Sequence, residues 1–195
     1  PHGVNPIFKA SPRSQKPLSS YSAARKFQLL YVSKIDVHKH QSEVAQAVLN
    51  LHHKGYPVHI TFVGPVDSQK EYSLFNKVIV SYPSSHEVIS YTGNIDYNNL
   101  KEFYKKADLF VMPSYKVRNS IEGFGISYIE AASYGVPSIA GVEGGIRDAV
   151  FDMKTGWCVD PLNSSLLLDT IKEAINNESK REKFGLEAKK QFLKK

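Results

Sequence analysis

Short apolar runs alternate along the chain with longer stretches whose apolar residues recur at helical spacing. "FQLLYVSKI" (27–35) is almost continuously apolar, the pattern of a strand buried on both faces. In the following "HQSEVAQAVLNLHHKGYP", Val44, Ala47, Val48 and Leu51 fall three and four apart, and Gly55 then Pro57 ends the segment. "VHITFVGP" predicts a second buried strand. "DSQKEYSLFNKVIVSYP" predicts a helix with Asp67 as its N-cap. The alternation continues with the strand "EVISYTG", the short helix "NNLKEFYKKA", the strand "DLFVMPS" and a helix within "SIEGFGISYIEAASYGVP". "VPSIA" and "GWCVDP" are strands on either side of a helical turn, "IRDAV". From Ser164 onward Leu166, Leu167, Thr170, Ile171, Ala174 and Ile175 mark one helix face, and "SKREKFGLEAKKQFLKK" is a last helix.

Strands alternating with helices imply an α/β fold: a Rossmann-like, doubly wound parallel sheet with helices on both faces. Residues 1–26 are rich in Pro, Ser and Lys and show no period, so they read as a linker, and residues 27–195 as the domain. Ligands of such domains bind beyond the C-terminal ends of the strands, which makes the loops after strands the informative ones.

Composition narrows the class without choosing the chemistry. At 42% hydrophobic and 23% charged, the 195 residues suit a globular fold with a sizeable core. No apolar run approaches the roughly 20 residues that span a bilayer, and the start "PHGVNPIFKA" lacks a signal-peptide pattern. A single cysteine, Cys158, forms no intrachain disulfide and reads as a small core residue, consistent with a reducing, cytoplasmic setting. The net charge of +6 favours anionic partners: phosphorylated ligands, nucleic acid or an acidic membrane surface. The basic residues are scattered except in the tail "AKKQFLKK", which reads first as a solvated helix end. No aromatic-and-basic strand pattern supports nucleic-acid binding.

The strand-end loops carry the candidate chemistry. After the first strand, Lys34 and Lys39 flank a helix entrance, where two ammonium groups and free N–H groups suit a phosphate; two solvated surface lysines are the competing reading. His38 and His40 flank Lys39, but no third metal ligand has suitable spacing, so no metal is expected. Gly93 permits a close backbone turn at a strand end. In "EGFGIS", Gly123 and Gly125 remove side chains where backbone would approach a ligand. The N–H groups of Gly123, Phe124, Gly125 and Ile126 lie near a helix start. Glu130, one turn into that helix, is an acceptor-only group suited to the paired hydroxyls of a ribose, and Glu122 to those of a second sugar. Gly144 and Gly145 open a further side-chain-free loop at the same edge.

"PSYKVRNSIEGFGISYIEAASYGVPSIA" resembles the E-x7-E segment of retaining glycosyltransferases of the GT-B fold, glycosyltransferase family 4 in particular. "YVSKIDVHKHQ", "HITFVGP", "VISYTGNID", "ADLFVMPS", "GVEGGIRDAV" and "KTGWCVDP" resemble that family's other motifs in order, over roughly residues 27–190. The resemblance implies the C-terminal, donor-nucleotide-binding half of a two-domain enzyme, the acceptor half being absent from this chain. It implies Lys34 and Lys39 at the donor diphosphate, Glu130 at the ribose, and Glu122 with Gly123, Phe124, Gly125 and Ile126 at the donor sugar and phosphate. Lys34, Lys39 and Glu122 would be the catalytic set. It further implies transfer of a hexosyl group from a nucleotide-diphosphate sugar to a glycan or lipid-linked acceptor, with no cofactor and no obligatory metal. The isolated domain would then be inactive, cytoplasmic, and compatible with peripheral membrane contact. Lys34 stands where Arg is commoner, His40 where Gly is usual, and Asp148 where Glu is usual; "YKVRNS" is a longer link than the family norm. A nucleotide-sugar epimerase of related fold and a degenerate, non-catalytic nucleotide-binding module are the alternatives.

Overall fold

The computed structural model describes residues 25–115, 125–142 and 146–193. In chain order the elements are β1 (Phe27–Val32), α1 (Gln41–His53), β2 (Val58–Val63), α2 (Gln69–Val80), α3 (Ser85–Val88), β3 (Ile89–Tyr91) and α4 (Tyr97–Lys106). There follow β4 (Leu109–Met112), α5 (Ile126–Ser133), β5 (Ser138–Gly141), α6 (Ile146–Ala149), β6 (Gly156–Val159), α7 (Ser164–Asn176) and α8 (Glu178–Phe192). The strands form one sheet in the order β3-β2-β1-β4-β5-β6, and every pairing is parallel. Strand order reverses between β1 and β4, so their C-terminal ends flank the topological switch point where doubly wound sheets bind ligands.

The apolar periodicity is what fixes the layers. Val44, Ala47, Val48 and Leu51 of α1 are all buried, as are Leu167, Thr170, Ile171, Ala174 and Ile175 of α7, which packs against α1, β6 and α8. Leu166, expected on that same face, is 43% exposed instead, because it sits in the first turn on the far side of α7. Phe62 anchors the centre, with Tyr31 and Phe75 rings 5.1 and 4.8 Å away. Such tilted aromatic pairs add to simple burial.

Three further local expectations change. The stretch "EVISYTG" is not strand throughout: Glu87 and Val88 belong to the one-turn α3, and β3 is only three residues long. A short apolar run serves either element, and here Val88 reaches full burial from a helix. Asp67 does not cap α2; Ser68 does, accepting from the Glu71 N–H. The strands are also not sealed on both faces. Gln28, His59, Thr61 and Ser90 line a half-open cavity of about 350 Å³ under Phe103 and Lys106 of α4. No helix among the described residues is long and apolar enough to cross a membrane.

Candidate functional site

The loop after β1 is drawn tightly against its neighbours. Tyr31 donates its hydroxyl to the Lys39 carbonyl from inside the core, and the Lys39 N–H closes a turn on Asp36 O at 3.0 Å. The Gln41 amide holds the Lys34 carbonyl at 2.8 Å. The Tyr115 N–H, just beyond β4, reaches the His38 carbonyl at 3.2 Å, and the Tyr115 ring packs 4.8 Å from that of His40. The loops after β1 and β4 are therefore joined across the switch point.

The two lysines occupy different surroundings. Lys39 is buried, with 7% of its surface exposed. Lys34 is half exposed, and its ammonium lies 2.6 Å from Asp67 and 3.5 Å from Asp36. The bond to Asp67 holds its pKa above the ordinary lysine value, so Lys34 stays charged.

Two helices begin at this edge in an unusual way. α1 starts from His40 at φ 54° and α5 from Gly125 at φ 55°, both left-handed, and neither start has a side-chain cap. The other described helices longer than one turn are capped by Ser68, Asp96, Asn163 and Asn177. First-turn N–H groups left without a capping side chain are an anion's natural partners. Gly125 is required as glycine: a Cβ there would lie 2.6 Å from the Tyr128 ring. That ring cannot retreat, because it packs on Phe110 and its hydroxyl donates to the Met112 carbonyl at the end of β4. The same contacts fix the start of α5 beside the C-terminal end of β4. Ile126, the first helical residue, is 61% exposed at this edge.

Glu130 lies one turn further into α5 and is buried, with 9% exposed. Its Oε2 accepts from the Tyr104 hydroxyl of α4 at 2.7 Å. Burial raises its pKa above the usual carboxylate value, and the Tyr104 bond partly offsets this. The carboxylate is felt in turn by its neighbours. Burial, then the Glu130 charge, push Tyr97 up to about 12, and Tyr104 is raised well above its ordinary value for the same reasons. Gly93 turns at φ 66° after β3, and its carbonyl accepts from the Gly64 N–H beyond β2, tying those two strand ends together.

The described candidates thus sit at one edge: Lys34 and Lys39 after β1, Gly93 after β3, and Gly125, Ile126 and Glu130 on the helix after β4. Glu122, Gly123, Phe124, Gly144 and Gly145 lie outside the described residues. Sequence reading missed Tyr104 and Asp67. Leu100, Phe103, Tyr104 and Ala107 at i, i+3, i+4 and i+7 mark Tyr104 as inward-facing. Nothing in that pattern says which group its hydroxyl meets. Among the described residues no group of three or more His, Cys, Asp or Glu side chains could hold a metal ion.

Comparison with known proteins adds a family to this geometry. The chain is 28% identical over 182 residues to D-inositol 3-phosphate glycosyltransferase from Arthrobacter sp. (strain FB24), covering 92% of this chain and 41% of that one. It spans less than half the length of the curated relatives it matches. Among solved structures, it is similar to the C-terminal domain of a glycosyl transferase group 1 family protein from Francisella tularensis. The TM-score is 0.75 at 20% identity, over 87% of this chain and 85% of that one. Alr3699/HepE from Anabaena, solved in complex with UDP-glucose, gives a TM-score of 0.72 at 20% identity, over 88% and 45% of the two chains. These structural likenesses carry the fold. Residues 15–191 match the family described as glycosyl transferases group 1, and the chain belongs to that family.

Proposed function

We propose that this chain is the donor-binding half of a retaining glycosyltransferase, moving a sugar from a nucleotide-diphosphate donor to a glycan or lipid-linked acceptor. The observation that carries this reading is the pair of left-handed helix starts without side-chain caps, His40 before α1 and Gly125 before α5, on the two sides of the switch point. A diphosphate between them would meet two sets of N–H groups and two helix dipoles, with Lys39 beside one of them. That anion is the leaving group of the reaction. Its charge grows in the transition state, and fixed donors with the Lys34 and Lys39 ammoniums would offset it; removing one such donor costs about 3–4 kcal/mol of barrier. No metal is required for that role.

Glu130 would take the ribose hydroxyls, while Glu122 and the backbone of Gly123 to Ile126 would meet the donor sugar. The acceptor would be placed by a second domain, so the 195 residues alone bind nucleotide and transfer nothing. Family membership and the UDP-glucose complex of the Anabaena protein support a nucleotide-sugar donor. The ion pair between Lys34 and Asp67 favours the rival reading, a nucleotide-binding module without turnover, since it occupies one of the two catalytic cations.

Calorimetric titration of the chain with UDP, GDP, ADP and their sugar conjugates tests the proposal. One nucleoside diphosphate should bind, more weakly to Glu130→Ala. Failure of all to bind would refute it. Turnover by the isolated chain would refute the requirement for a second domain.

A further inference from the structure

Glu130 has two carboxylate oxygens, and among the described residues only Oε2 has a side-chain partner, the Tyr104 hydroxyl at 2.7 Å. The donor is rigid. Tyr104 is 1% exposed, its ring stacks on Tyr134 with centroids 5.7 Å apart and planes within 3°, and Phe110 lies 6.1 Å away on β4. The hydroxyl belongs to α4 and the carboxylate to α5, so one hydrogen bond fixes the acid against a second helix. Without it, a glutamate side chain on the eight-residue α5 has three torsions to lose on binding.

We propose that Tyr104 is a positioning residue. It holds Glu130 so that Oε1 and the remaining lone pair of Oε2 receive a vicinal diol, and so makes the site selective for ribonucleotides over 2′-deoxyribonucleotides. This rests on the donor-binding reading above. The selectivity follows from burial: with Glu130 only 9% exposed, little water can replace a missing hydroxyl, and a fixed acceptor left unpaired is costly. A carboxylate free to turn would instead follow the one remaining hydroxyl and discriminate less.

The test is calorimetric titration of the full chain with UDP, GDP and ADP, each against its 2′-deoxy counterpart, in wild type, Tyr104→Phe and Glu130→Asp. Wild type should bind one ribonucleotide more tightly than its deoxy form. Tyr104→Phe keeps the stacked ring and loses only the donor. It leaves Oε2 of the buried Glu130 without its partner, so it should melt roughly 2–12 °C below wild type. In the folded state it should lose roughly three- to tenfold in ribonucleotide affinity, the size of one hydrogen bond. Its deoxynucleotide affinity should be unchanged, so the ratio collapses. Glu130→Asp is one methylene short of Tyr104 and should show the same collapse, which keeps the proposal testable if Tyr104→Phe does not fold. A ribo-to-deoxy ratio that survives in either folded variant overturns the role of Tyr104 and leaves the donor reading standing. So does equal binding of both forms by wild type. Binding of no nucleoside diphosphate by wild type overturns both.

Discussion

Replacing Asp67 by Asn should tighten diphosphate binding, which is the opposite of what removing a polar group from a site usually does. Lys34 Nζ lies 2.6 Å from Asp67 and 3.5 Å from Asp36, with its own side chain 49% exposed and that of Asp67 52% exposed. At that exposure an ion pair is worth about 0.2–1 kcal/mol. A diphosphate that recruits Lys34 has to displace Asp67 and then tolerate a carboxylate beside it. Removing the charge should therefore improve affinity by about 1 kcal/mol, roughly fivefold. The gain should shrink at molar salt, where the screening length falls to about 3 Å. The same substitution gives up the pair's contribution to the fold, so the melting temperature should drop by no more than roughly 4 °C for a chain of this length. Titration of wild type, Asp67→Asn, Lys34→Ala and the double variant with the nucleoside diphosphate that binds supplies the measurement. The double variant should show no gain over Lys34→Ala. Weaker binding by Asp67→Asn, or a gain that persists without Lys34, would show that Lys34 does not serve the anion.

Two further outcomes concern the acid and the glycine. Glu130 has its pKa raised by burial, so the folded state holds that proton more tightly than the unfolded chain. The stabilisation is full below the ordinary carboxylate range and is lost as pH rises through the raised value. Glu130→Gln should therefore gain on wild type in thermal melts as pH goes from about 4 to neutrality, while losing nucleotide affinity; a difference flat in pH would exclude a buried, ionised Glu130. Gly125→Ala must hold a left-handed φ of 55° and place a Cβ 2.6 Å from the fixed Tyr128 ring. The backbone term alone costs about 1–2 kcal/mol, a drop of roughly 2–8 °C. An unchanged melting temperature would mean that α5 does not start as described.

Why the sheet was legible while parts of the site were not comes down to which forces have a period. Apolar burial repeats with the strand and helix, so Phe27 to Val32 or Val44 to Leu51 announce themselves without reference to the rest of the chain. The position of Glu130 at a strand-end helix was legible for the same reason, since topology follows from the order of the runs. Hydrogen-bond partners have no period. Asp67 and Ser68 are both good caps, and only the pairing of Asp67 with Lys34, thirty-three residues away, decides between them. The Tyr104–Glu130 bond spans twenty-six residues and two helices. Gln28 and Thr61 fall in runs that read as buried strands, yet they line a cavity together with Phe103 and Lys106 of α4.

The helix starts show how function can be written into backbone rather than side chains. A cap normally adds about 1 kcal/mol, and it works because the capping residue has negative φ, which turns its oxygen toward the first-turn N–H groups. Ser68 and Asp96 do this at φ −118° and −70°. His40 and Gly125 have φ of 54° and 55°, so their geometry differs from that of the working caps, and a serine at either place would inherit the wrong backbone. At Gly125 this requires glycine. At His40 it is tolerated with a side chain whose ring instead packs on Tyr115 and whose Nδ1 lies 3.5 Å from Glu43. Among the described helices longer than one turn, the two starts without a side-chain cap lie at the switch point and the four capped ones elsewhere. Loss of two chance caps would scatter over the fold; loss at the two helix starts beside β1 and β4 leaves N–H groups where an anionic ligand can supply what the side chains do not.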